Sequence, residues 1–94
     1  MVKHVVLWTI KDGYDKRAVF DEIKGIFDGF ASTVPGMRSC ELFFGHDGYD
    51  ICLISTHDSR EAVEAYQNFP AHKAAKEVVA AYRAERASCD FDII

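Results

Sequence analysis

The run Asp58-Ser59-Arg60-Glu61-Ala62-Val63-Glu64-Ala65-Tyr66-Gln67-Asn68-Phe69-Pro70-Ala71-His72 decides how the rest of the chain is read. It follows a strand-like segment and opens with Asp58 and Glu61 three residues apart, the spacing of an N-cap and its capping box. Ala62, Ala65, Tyr66 and Phe69 then recur at helical intervals, so one face of the expected helix is apolar and carries a phenol. Pro70 has no N–H to give and restricts the residue before it, so the helix stops or kinks there. A helical pattern resumes with Ala71 and His72. A phenol and an imidazole are therefore expected at one helix break, facing the same interior.

Outward from this run the pattern alternates between strand and helix. Val2 to Ile10 is short, apolar and β-branched, and reads as a first strand. His4, Val6, Trp8 and Ile10 share one face, with Val5, Leu7 and Thr9 on the other, so the strand is expected to be covered on both sides. Lys11-Asp12-Gly13 ends it. From Tyr14 to Ser32 the period becomes helical, with Val19, Phe20, Ile23, Ile26, Phe27 and Phe30 in a stripe. Gly25 and Gly29 weaken that helix and would let the sheet or a ligand come close.

Pro35-Gly36 turns the chain into a hairpin of Met37–Phe44 and Tyr49–Thr56 around Gly45-His46-Asp47-Gly48. That loop length pairs Phe44 with Tyr49, Leu42 with Ile51 and Cys40 with Leu53. Beyond Pro70 the helical pattern runs from His72 to Arg86, and Cys89 to Ile94 alternates as a last strand. The order β-α-β-β-α-β predicts an α+β, ferredoxin-like domain: a four-stranded antiparallel sheet with both helices on one face. Nothing in the chain covers the other face. Its apolar residues predict a homodimer packed sheet to sheet, a dimeric α/β barrel.

Composition narrows the function classes. With 94 residues, 49% hydrophobic and 28% charged, the chain makes one ordinary globular domain, residues 1–94. A net charge of −4 argues against nucleic acid, which needs a positive face. No apolar run is long enough to span a membrane, and the N-terminus lacks signal-peptide architecture. Cys40, Cys52 and Cys89 are an odd set without paired spacing, expected as small buried free thiols. These features together predict a cytoplasmic protein.

The fold order alone does not choose a chemistry. An RNA-recognition module would need aromatics on strand three, which here is Ile51-Cys52-Leu53-Ile54-Ser55. An acylphosphatase would need an arginine after strand one, where Lys11-Asp12-Gly13-Tyr14 has none. His46, His57 and His72 lack ligand spacing, so neither a metal nor another cofactor is expected. His4 inside an apolar strand must have a fixed hydrogen-bond partner, and Tyr66 and His72 are by default core and helix-start residues.

Tyr66-Gln67-Asn68-Phe69-Pro70-Ala71-His72 resembles the Y-x-x-H-P-x-H signature of the stress-responsive A/B barrel (Dabb) family. Val2-Lys3-His4-Val5-Val6-Leu7 resembles that family's first strand, and Val34-Pro35-Gly36-Met37 its P-G turn. Phe69 replaces the first histidine of the signature, so no role of that imidazole carries over. The resemblance implies the dimeric barrel. In a plant polyketide cyclase of the family, the matching residues line the active site, which makes His4, Tyr66 and His72 the candidate catalytic groups. Trp8, Phe27 and Phe69 are the expected apolar wall. Two functions follow: binding of a small apolar or phenolic ligand, stress-associated, or a cofactor-independent lyase or cyclase, ahead of a monooxygenase. For His72 two placements are expected as alternatives. It either lines the cavity as an acid–base group, or bonds a backbone carbonyl at the helix break, closed off from the cavity.

Overall fold

The computed structural model describes residues 1–94. The elements are β1 (Val2–Ile10), α1 (Lys16–Phe27), α2 (Phe30–Thr33), β2 (Met37–Phe44), β3 (Ile51–His57), α3 (Arg60–Gln67), α4 (Pro70–Tyr82) and β4 (Arg83–Asp92). The sheet order is β2-β3-β1-β4 with every pair antiparallel, as the β-α-β-β-α-β order requires. β1 is central, and its inward face buries Val2, Val6, Trp8 and Ile10 with one polar residue, His4, among them. The core lies between this sheet face and the helices, with Ile23 and Phe27 of α1, Tyr66 of α3, and Ala75 and Val79 of α4.

The expected first helix is two. Asp15 caps α1 by accepting from the Ala18 N–H at 3.0 Å, and the helix ends at Asp28 before α2 restarts at Phe30. Nothing lies within 4 Å of a Cβ placed at Gly25 or Gly29, so neither glycine lets the sheet come close. Gly36 is the glycine the fold needs. Its φ is +79°, and a Cβ there would sit 2.8 Å from Ala62 Cβ, so the β2 entry packs directly on α3.

Ser59, not Asp58, caps α3: its hydroxyl accepts from the Ala62 N–H at 3.1 Å. Asp58 instead pairs with Arg38 on β2, and Glu61 falls in the first turn with no capping box. The inward residues of α3 are Val63 and Tyr66, while Ala65 is exposed. The helical stripe is therefore rotated by about one position from the expected one.

The hairpin pairs Phe44 with Ile51, Leu42 with Leu53 and Cys40 with Ser55, a slip of two residues from the expected register. Because strand side chains alternate with period two, a slip of two keeps both faces intact. Asp50 causes the slip. It turns into the core, accepting from the Ile10 N–H at 2.8 Å and from Lys16 Nζ at 3.0 Å, while Gly45 N–H bonds its carbonyl. The loop thus runs from Gly45 to Asp50.

The larger difference is at the C-terminal end. α4 stops at Tyr82 and β4 begins at Arg83, although Arg83 to Arg86 is built from good helix formers. β1 is nine residues long, and its free edge needs a partner along its length; Ile10 pairs Arg83 and Val2 pairs Asp92. The pairing of a buried strand outweighs local propensity. Cys89, expected to be buried, is exposed on this strand, and Cys40 and Cys52 are half-buried; all three are free thiols.

Candidate functional site

The break between α3 and α4 builds the site. In an unbroken helix the Tyr66 carbonyl would accept from the N–H of residue 70, but Pro70 has none. The Tyr66 carbonyl accepts instead from the Phe69 N–H at 3.1 Å and from the His72 Nδ1–H at 3.0 Å. The His72 bond folds the imidazole back onto the phenol. The two rings stack at 3.8 Å between centroids and 11° between planes. Phe69 is the N-cap residue of α4, in extended geometry, with Pro70 opening the helix.

His4 faces the pair from β1, its ring 6.2 Å from Tyr66 and edge-on. Its Nδ1–H donates to Asp90 Oδ1 at 2.5 Å, across the β1–β4 pairing that sets His4 opposite Asp90. His57, at the end of β3, is wholly buried with its ring 5.2 Å from Tyr66 and 6.3 Å from His4. Its Nε2 shares a 2.9 Å hydrogen bond with Ser55 Oγ. Two buried polar atoms in this cluster have no partner, His57 Nδ1 and the Tyr66 hydroxyl.

Burial sets the charge of the cluster. It pushes the His72 imidazole down to about 4, against the pull of the Tyr66 carbonyl and helped by Lys76, His4 and Arg86. It also lowers His57, and His4 beside it adds to that, against the nearby Asp90 and Asp58 carboxylates. Burial raises the Tyr66 phenol above its ordinary range. At neutral pH, Tyr66 and His72 are therefore uncharged.

A cavity of about 410 Å³ opens between the sheet and α4 above these groups. Val6, Trp8, Phe27, Leu53 and Val79 form its apolar wall, and His4, Tyr66 and His72 also border it. Phe69 does not: it is half-buried and packs on the core instead. Of the six residues singled out from sequence, five therefore come together and one falls outside. The two expected placements of His72 turn out not to exclude each other, since it both holds a backbone carbonyl and lines the cavity.

Sequence reasoning missed His57, Ser55 and Asp90. The alternation Ile51, Leu53, Ser55, His57 could have placed the first two on the inner face, had the strand been carried one residue past Thr56. Asp90 had no local signal, because its role depends on pairing with a strand 86 residues away. No group of three or more His, Cys, Asp or Glu side chains is gathered as metal ligands.

The pattern of the stress-responsive A/B barrel domain matches residues 2–93 of the chain. The chain belongs to the stress-responsive A/B barrel family. A curated relative, the stress-response A/B barrel domain-containing protein HS1 of Arabidopsis thaliana, is 34% identical over 80 residues, 76% of this chain and 70% of the relative. Among solved structures, a dimeric ferredoxin-like protein of unknown function from Bacteroides fragilis has a TM-score of 0.89 at 26% identity, covering 98% of this A/B barrel chain and 95% of its own. The hydroxynitrile lyase of Passiflora edulis shares the fold with a TM-score of 0.83 at 15% identity, covering 99% and 93%. No helix of this A/B barrel domain is long and apolar enough to cross a membrane.

Proposed function

We propose that this A/B barrel protein binds a small, largely apolar ligand in the cavity between sheet and helices. One observation carries the reading: a cavity of about 410 Å³ walled by Val6, Trp8, Phe27, Leu53 and Val79 meets a few fixed polar groups on one side. That size and that mix of apolar wall and few polar groups are what small-molecule sites have. The stress-responsive description of the family places a stress-linked role in the same proposal, and the free thiols fit a reducing, cytoplasmic setting. The test is a thermal-shift screen of phenolic and polyketide-like compounds, followed by calorimetry. Saturable binding that Trp8→Ala weakens supports the reading; no hit in either assay sinks it.

A second reading is supported by the His4–Asp90 pair. A carboxylate on Nδ1 fixes the tautomer and orientation of His4, as a general base requires. The unpartnered Tyr66 hydroxyl is a donor for an oxyanion that develops at a ligand carbonyl. Together they fit a cofactor-independent lyase or cyclase that takes a proton α to a carbonyl. Loss of turnover in Tyr66→Phe with binding retained is the expected signature, and unchanged turnover would refute it.

The homodimer belongs to this proposal as well. Val5, Leu7, Cys52 and Ile54 lie half-buried on the sheet face away from the helices, and Phe43 and Phe91 on the same face are 48% and 54% exposed. A second copy packed on that face would cover them, and the ferredoxin-like neighbour from Bacteroides fragilis is dimeric. Light scattering at micromolar concentration should give twice the chain mass.

A further inference from the structure

The cations of this chain are unevenly paired. Arg17, Arg38 and Arg60 each meet a carboxylate, on Asp21, Asp58 and Asp92. The two remaining arginines, Arg83 and Arg86, have no acidic partner, and both line the cavity. Lys76 lines it too, donating only to the Gln67 carbonyl at 3.3 Å. Glu77 is the one carboxylate among the lining residues. In a chain with more acidic than basic residues, unpaired arginines should be scarce, and here they gather at one cavity.

The charged and the apolar residues of that cavity come largely from different elements. Lys76 and Glu77 stand on α4, Arg83 at its C-terminal junction and Arg86 on the edge strand β4, opposite Trp8. The apolar wall comes from β1, β3 and α1, with Val79 added from α4, and the stacked Tyr66–His72 pair from the α3–α4 break. The charges also reach the stacked pair, since Lys76 and Arg86 add to the lowering of His72 that burial begins. A ligand that suits both sets of residues has an apolar body and a negative head. Guanidinium groups pair two oxygens of one anion side by side, a geometry that a carboxylate meets.

We propose that the cavity selects an amphipathic monocarboxylate, seated with its apolar part against Trp8 and Phe27 and its carboxylate between Arg83, Arg86 and Lys76. This inference rests on the small-ligand reading and names its substrate class. Titration calorimetry with three probes of equal chain length tests it: octanoate, octanol and octylamine. Octanoate should bind about tenfold more tightly than octanol, with octylamine weakest. Arg83→Gln/Arg86→Gln should remove the preference for octanoate while leaving octanol binding unchanged. Should that variant not fold, the unaltered protein still decides, because only octanoate affinity should fall steeply as salt is raised. Equal binding of octanoate and octanol would overturn the carboxylate assignment while keeping the small-ligand reading. Binding of none of the three would overturn both.

Discussion

His72 stays neutral at neutral pH because burial lowers its pKa to about 4, well below the ordinary value of 6.5. A depressed histidine contributes its stability fully above the unfolded value and loses it as pH falls towards the folded one. Between about pH 6.5 and 4 the unfolded chain binds the proton and the folded chain does not, so stability must fall with acidification. The size is on the order of 2–3 kcal/mol across that window. Urea unfolding at pH 7, 5.5 and 4.5 should show the slope, and His72→Gln should flatten it. Tyr66 makes a different prediction. Its buried hydroxyl has no partner, so Tyr66→Phe should leave stability within about 1 kcal/mol of the parent or raise it. A large loss would mean that the hydroxyl is satisfied in solution. These residues were legible only in part. The phenol and imidazole at a proline break could be read from spacing, but the partner of each could not. Asp90 joins the site through strand pairing, which local pattern does not encode, whereas the β3 alternation already points His57 inward.

The elements themselves were readable wherever the local signal and the tertiary demand agreed. β1, the α3–α4 break and the hairpin strands fall close to the expected places because periodicity, Pro70 and the turn glycines point the same way. They diverge where a distant partner decides. Asp50 reads as part of the strand Tyr49–Thr56, yet it is the cap on the Ile10 N–H, and that contact moves the hairpin register by two. Burial works against its charge, but the Ile10 N–H and Lys16 outweigh burial and hold the carboxyl below its ordinary range. Asp50→Ala should therefore cost about 1–3 kcal/mol by leaving a buried N–H unpaired, measured as a lower urea midpoint. Gly36 gives a second element-scale test. Gly36→Ala forces a left-handed conformation and meets Ala62 at 2.8 Å, so a loss of about 1–2 kcal/mol or more is expected. A neutral result would show that β2 and α3 can separate at that point.

At the scale of the molecule, the ferredoxin-like order was legible because it follows from the sequence of elements and the handedness of crossovers. The uncovered apolar face was legible for a related reason: β1 is apolar on both sides, while the chain supplies helices for only one. What pattern could not supply was the length of β4, since Arg83–Ser88 pairs with β1 against its own propensity. Phe43→Glu/Phe91→Glu tests the sheet-to-sheet pairing. Both side chains are about half exposed in a single copy, so the double change should cost a lone protomer little. A shift to the single-chain mass with an unaltered circular dichroism spectrum is expected; an unchanged mass would place the interface elsewhere.

The adjacency of β1 and β4 also has a meaning in time. Val2 pairs Asp92, and the Ile93 N–H bonds the Met1 carbonyl, so neighbours in the sheet are separated by nearly all of the residues between them. During synthesis β1 emerges first and must wait for β4, with an apolar strand edge unmatched through most of translation. Long-range pairing of this kind slows folding relative to helical bundles, and an unmatched edge invites misassociation or chaperone capture. His4 waits as well, because Asp90 is made some eighty residues after it. The oriented imidazole is thus among the last features of the nascent chain to form, and a ribosome-stalled fragment ending at Tyr82 would carry the cavity wall without it.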